Sequence, residues 1–123
     1  PERGYRPVEQ STVLLQPLPA PPAPPRGASP LPPVRAVADD EIAAWADAAA
    51  RGWGELPGLG DFMRGFGLVS GRSAGTTCFV AEIDGAIVAT GVMAMHGGVA
   101  LLAGASTIPA WRGRGAQSAL LAA

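Results

Sequence analysis

The residues with the clearest chemistry in this 123-residue chain are Arg112-Gly113-Arg114-Gly115. Two guanidinium groups alternate with two glycines, and Ala116-Gln117-Ser118-Ala119-Leu120-Leu121-Ala122-Ala123 follows, built mainly from good helix formers. The apolar, β-compatible run from Val99 to Ser106 precedes them, with Pro109 as punctuation. The pattern predicts a strand, a Gly-rich turn and the start of a helix. The first turn of a helix leaves backbone N–H groups without intrahelical partners, glycines let a phosphate approach them, and the arginines add positive potential. The chemistry of such a turn is the binding of a phosphate or pyrophosphate.

Two common nucleotide motifs fail here. The triphosphatase loop GxxxxGK[ST] needs a lysine, and the chain has none. The dinucleotide fingerprint GxGxxG would use Gly113 and Gly115 but meets Ser118 at its third glycine. The stretch instead resembles the acetyl-coenzyme A signature of the GNAT superfamily of N-acyltransferases, an aromatic residue before Arg/Gln-x-x-Gly-x-Gly/Ala and then a helix of small residues and leucines. Trp111 takes the aromatic place, Arg112 and Gly115 the two strongest positions, and Gln117 stands where the family has Gly or Ala.

The resemblance covers about Val34 to Ala123 and implies an α+β, three-layer α/β/α, GNAT-like acyl-CoA N-acyltransferase fold, truncated after the start of the third helix. It implies acetyl-CoA as acyl donor, its pyrophosphate on the backbone from Arg112 through Gln117. The implied cofactor-binding set is Ser106, Thr107, Arg112, Gly113, Arg114, Gly115, Ala116 and Gln117; Ser106 and Thr107 match the segment that pairs, strand-like, with the pantetheine arm. The implied reaction is acetyl transfer to a primary amine on a small molecule or peptide. The base that many relatives carry on or beside the fourth strand, and the tyrosine acid of the fourth helix, have no counterpart: Val99 to Ser106 lacks an acidic residue and the only tyrosine is Tyr5. A catalytically inactive acyl-CoA-binding domain with a regulatory or scaffolding role is therefore the alternative.

Other candidate groups are few. His96, the only imidazole, is a base candidate by residue type, but it stands in a Gly-rich turn at the far end of the predicted strand. Glu55 and Glu82 are carboxylates whose orientation the sequence leaves open. Cys78, the single cysteine, has no neighbouring His/Asp set and reads as a small core residue. One His and one Cys do not make a metal site, so none is expected.

Stepping from chemistry to scaffold, Val34 to Val37 predicts a first strand, and Asp39 or Asp40 predicts the cap of a helix running to about Arg51. Ile42, Trp45, Ala46 and Ala49 form its apolar stripe. A second helix is predicted from Leu59 to about Leu68, weakened by Gly65 and Gly67, with Leu59, Phe62, Met63 and Phe66 packing on the sheet. The resemblance makes these helices and their joining loop the acceptor side, with Trp53, Glu55 and Phe62 as substrate-facing candidates. Val69 to Gly75 reads as a loop. Strands follow at Thr76–Ile83, Ala86–Met95 and Val99–Ser106, joined by Asp84-Gly85 and His96-Gly97-Gly98 turns in an antiparallel meander.

Upstream, residues 1–16 read as the tail of an upstream domain or an edge segment, because Val13, Leu14 and Leu15 form a short β-capable run. Residues 17–33 hold nine prolines in 17 positions and read as an extended linker; Pro22 to Arg26 formally fits a PxxP ligand. Residues 34–123 form the domain. A net charge of -1 gives no nucleic-acid footprint. No run is apolar enough to span a bilayer, so no membrane partner is expected, and a lone cysteine fits a reducing cytoplasm. The missing initial Met and the ending in a helical pattern predict a piece of a longer chain whose C-terminal half lies elsewhere.

Overall fold

A computed structural model describes residues 12–17 and 30–123. Tyr5 and the PxxP-like stretch lie outside the described residues. Four strands, β1 (Val34–Ala36), β2 (Thr76–Ile83), β3 (Ala86–His96) and β4 (Val99–Thr107), form one antiparallel sheet in the order β1-β2-β3-β4. Between β1 and β2 lie helices α1 (Ile42–Trp53) and α2 (Leu59–Gly71), and after β4 comes α3 (Ala116–Ala122). The two hairpin turns form where local chemistry demands them. Asp84 and Gly85 both take positive φ (52° and 75°), as do Gly97 and Gly98 (55° and 78°), which is the backbone a tight two-residue hairpin requires. His96 is the last residue of β3 rather than part of the turn.

Alternation along β2 gives the sheet two covered faces. Cys78 and Val80 pack with Ile42, Trp45 and Ala46 of α1, while Ala81 packs with Val88, Ala89 and Ala116 of α3 on the other side. The stripe expected on α1 is therefore its buried face. Trp45, only 2% exposed, also donates its indole N–H to the Phe79 carbonyl at 3.1 Å, tying helix to sheet. Burial pushes the Cys78 thiol up from its ordinary value.

Three expectations are corrected. Neither Asp39 nor Asp40 caps α1: a 3₁₀ turn, Asp39–Glu41, precedes it, and the Glu41 carboxylate accepts the Ala38 N–H at 3.1 Å. α2 runs to Gly71, so Val69 to Gly71 is helix and the loop is shorter. The α2 apolar face does not pack as a unit on the sheet. Phe62 and Phe66 remain 64% and 53% exposed and stack on each other, ring centroids 6.3 Å apart, while Gly67 is the buried residue. A Cβ at Gly67 would stand 3.2 Å from both Ala46 and Trp45, so the glycine brings α2 against α1 and rotates the phenylalanines outward.

Arg35 ties β1 to its neighbours, bonding both Glu41 oxygens at 2.8 Å and Glu82 at 2.9 Å. Its own pKa is raised, first by Glu41 and then by Glu82, so it stays charged. Glu41 is lowered from its ordinary 4.5, first by Arg35 and then by the Ala38 N–H. A lowered folded-state carboxylate contributes stability that is present above 4.5 and lost as the pH falls through the lowered value. The urea midpoint should thus stay flat from about pH 7 to about pH 5 and fall below about pH 4, and Glu41→Gln should make that acid limb shallower. An unchanged limb would remove Glu41 from the acid response.

Candidate functional site

The chain leaves β4 at Thr107, makes a 3₁₀ turn over Pro109–Trp111, and enters α3 through Gly115. Gly113 and Gly115 adopt φ of 76° and 79°, the left-handed backbone that glycine takes without a Cβ penalty. Among the described residues, the N–H groups of Gly113, Arg114, Gly115, Ala116 and Gln117 meet no acceptor. Five consecutive donors at a helix entry are the chemical content of an anion cradle. The Arg112 N–H is not among them, since it donates to the Pro109 carbonyl at 3.2 Å.

The side chains divide differently from the backbone. The Arg112 guanidinium turns back toward the loop between α1 and α2, donating to the Glu55 carboxylate at 2.6 Å, the Gly52 carbonyl at 3.2 Å and the Thr107 carbonyl at 3.3 Å. It thereby joins the end of β4 to the α1–α2 loop. Arg114 lies 4.8 Å from the Trp111 ring centroid, a cation–π contact that keeps its charge at the cradle. Ser106 is buried; its hydroxyl shares a 3.0 Å hydrogen bond with Thr90 and donates to the Ala49 carbonyl at 3.2 Å. Its backbone is committed as well: the Ile108 N–H donates to the Val88 carbonyl across the β3–β4 ladder, and Ser106, two residues earlier and paired with Thr90, faces β3 in the same way, so the outward-facing residue at this end of β4 is Thr107.

Among the described residues β4 is an edge strand, so one row of its backbone groups has no neighbouring strand there. The pairing of Thr90 with Ser106 but Val92 with Ala103 sets Gly91 against both Gly104 and Ala105, a bulge with Gly104 at φ 62°. This bulge re-aims the edge just before Ser106 and Thr107. An isolated glycine in a strand pattern is its sequence signal. On the α1/α2 side of the edge lies a cleft of about 420 Å³ bounded by Trp53, Glu55, Leu56, Thr107, Arg112 and Gln117.

Of the acid–base candidates, Glu55 alone stands beside this cleft. Glu82 is held by Arg35, and Cys78 is buried. His96 pairs with Val99 at the opposite end of β4, eight residues from Thr107 or about 26 Å at strand rise. Trp53 lines the cleft, whereas Phe62 stacks on Phe66 at the helix surface. No cluster of three metal-ligating side chains occurs among the described residues, and no helix there is long and apolar enough to cross a membrane.

The Arg112–Glu55 contact has a direct test. Such an exposed pair contributes at most about 1 kcal/mol to folding, yet it holds the α1–α2 loop to the cradle. Arg112→Gln and Glu55→Gln should each leave the melting temperature nearly unchanged while accelerating amide exchange at residues 52–56. Unaltered exchange in both variants would show that the loop is held by other contacts.

An antiparallel meander with helices on both faces, whose edge strand passes through a Gly-rich turn into a helix, defines a mixed α/β fold. The chain shares this fold with a predicted acetyltransferase from Clostridium acetobutylicum whose crystal structure contains acetyl-CoA, at a TM-score of 0.54 and 15% identity, covering 72% of this chain and 68% of the other. No family model matches the chain, and no curated protein matches it significantly.

Proposed function

We propose that this chain is part of a GNAT-type N-acetyltransferase that moves an acetyl group from acetyl-CoA to a primary amine. The observation that carries the reading is the run of unpartnered amides from Gly113 to Gln117, at the strand-to-helix turn of a fold shared with a structure containing acetyl-CoA. The residues fit the donor. The two left-handed glycines add no side chain of their own to the cradle, Arg114 brings charge, and the outward-facing backbone N–H of Thr107 at the β4 edge offers strand-like pairing to the pantetheine arm. Apolar side chains at that edge, Val99, Leu101 and Leu102, are exposed, which supports completion of the sheet by further strands. The single buried thiol suits a reducing cytoplasm.

In the reaction the neutral amine nitrogen attacks the thioester carbonyl. A C–N bond forms, the C–S bond breaks, and coenzyme A leaves as a thiolate that takes up the proton shed by the nitrogen. A second reading, an acyl-CoA-binding domain without catalysis, is favoured by one observation: Glu55, the carboxylate beside the cleft at Thr107, is already bound by Arg112. Calorimetric titration with acetyl-CoA tests what both readings share, and micromolar binding displaced by free coenzyme A is expected. Absence of binding would end both; binding without acetyl transfer to any of a broad amine panel, by the full-length protein, would favour the second.

A further inference from the structure

A second cleft lies on the same face of the sheet, between α2 and the middle of β3 and β4. Its volume is about 190 Å³, and Trp45, Met63, Phe66, Val92, Ala94 and Ala103 form its walls. It reaches β4 at Gly104, the left-handed residue of the bulge. Val92 pairs with Ala103, and Ala94 follows on the same face of β3, so the floor is built from one valine and two alanines, which leaves the space. The outward rotation of α2 opens it from above, because Gly67 rather than a large residue meets α1.

The walls hold no charged side chain. Of the three hydroxyls in the lining, two are engaged by backbone: the Thr76 O–H is shared between the Ser73 and Ser70 carbonyls, at 2.6 and 2.9 Å, and Ser73 donates to the Val69 carbonyl at 2.9 Å; the third is the neutral hydroxyl of Ser70. A second ammonium group or a carboxylate in this space would lose water and gain no partner of opposite charge. An apolar body loses nothing by entering, and an apolar cavity of roughly 150 Å³ is large enough to take a benzene ring.

Resting on the acetyl-transfer reading above, we infer that this cleft is the acceptor pocket and that the acceptor is a primary amine on a small apolar or aromatic body with no second charge. The body fills the space beneath Met63 and Phe66, and the amine points to the β4 edge at Gly104. Thr107 lies three positions beyond Gly104, about 10 Å along the strand, so a pantetheine arm paired with the β4 edge at Thr107 leads its thioester toward the mouth of the cleft. The charged Glu55–Arg112 cleft lies nearer the cradle, on the other side of Ala105, and does not reach this body.

The test is protein-observed NMR, following the Met63 methyl group and the Trp45 indole N–H during titration with 2-phenylethylamine, phenylalanine and 1,5-diaminopentane. Phenylalanine adds one carboxylate to the same body, and diaminopentane adds a second ammonium. Saturable shifts with 2-phenylethylamine are expected, with at least about tenfold weaker binding of the other two, the equivalent of ~1.4 kcal/mol. Ala94→Phe, which fills the floor, should abolish the shifts; Met63→Trp fills the cleft from the helix if the first variant does not fold. Equal binding of phenylalanine or diaminopentane, unsaturable shifts, or unchanged affinity in a folded filling variant would overturn the inference. A parallel acetyl-CoA titration followed at the Gly113 and Gly115 amides separates the two failures. Loss of acetyl-CoA binding alone removes the acceptor role through its premise, and loss of amine binding alone removes the pocket while the donor site stands.

Discussion

Gly115→Asp is expected to reduce acetyl-CoA affinity by at least about 100-fold, or ~2.8 kcal/mol. Gly115 has φ 79° and is the residue from which α3 begins. A side chain there meets left-handed strain, and a Cβ would stand 3.1 Å from a Leu31 methyl group. The larger effect is electrostatic, since a carboxylate among the Gly113 to Gln117 amides would accept their hydrogen bonds and repel the pyrophosphate. Gly115→Asn separates the terms. Asn tolerates the left-handed region and has nearly the same shape without charge, so it should retain most of the binding that Asp loses. Calorimetry on both variants reads the difference, and equal losses would mean that shape, not anion binding, explains the glycine. Gly115→Asp protein that binds acetyl-CoA like the parent would refute the cradle.

Gly52→Ala should destabilise the fold by about 3 kcal/mol, lowering the melting temperature by about 15 °C. Gly52 is buried on α1 against β4, and an added Cβ would lie 2.5 Å from Ser106 Oγ and 2.6 Å from Ser106 Cβ. Ser106 has little room to yield, because its hydroxyl is bound to Thr90 and to the Ala49 carbonyl within the core. Overpacking therefore moves α1 away from β4 or breaks that buried link. Gly52→Ala combined with Ser106→Gly should recover part of the loss, as expected of directly touching residues. Gly65→Ala is the contrasting change: a Cβ there meets nothing within 4 Å, so helix propensity alone should stabilise the protein by about 0.5–1 kcal/mol. Thermal unfolding of these variants decides the matter, and a Gly52→Ala protein melting with the parent would contradict the packing.

Ser106 illustrates why residue type and role part company. Its place at the end of the fourth strand is readable from the apolar run before it, but the register, which turns its backbone toward Thr90 and leaves Thr107 facing the free edge, is not. Its side chain is a core bridge between β3, β4 and α1, which depends on Thr90 and Ala49 arriving from elsewhere. Arg112 is similar: its position in a Gly-rich turn is local information, while its partner Glu55 lies 57 residues away. The Glu55 carboxylate, whose orientation the sequence leaves open, is thus already engaged, and the cradle's unpartnered amides begin at Gly113.

The sequence alone determined the three long strands, both hairpin turns, the buried stripe of α1 and the Gly-rich entry to α3. Each rests on an interaction within a few residues: side-chain alternation, positive φ at Asp84-Gly85 and Gly97-Gly98, or helical periodicity. Tertiary structure decided the direction of α2's phenylalanines, the partner of Arg112, the close approach at Gly52 and the two clefts beside β4. An apolar stripe specifies that a helix will pack but not on what, and Gly67 against Ala46 and Trp45 settled that choice by allowing closer contact than the phenylalanines could. Contacts between distant residues leave no periodic trace in the chain, because they are selected by the shapes that meet only after the sheet and helices have assembled.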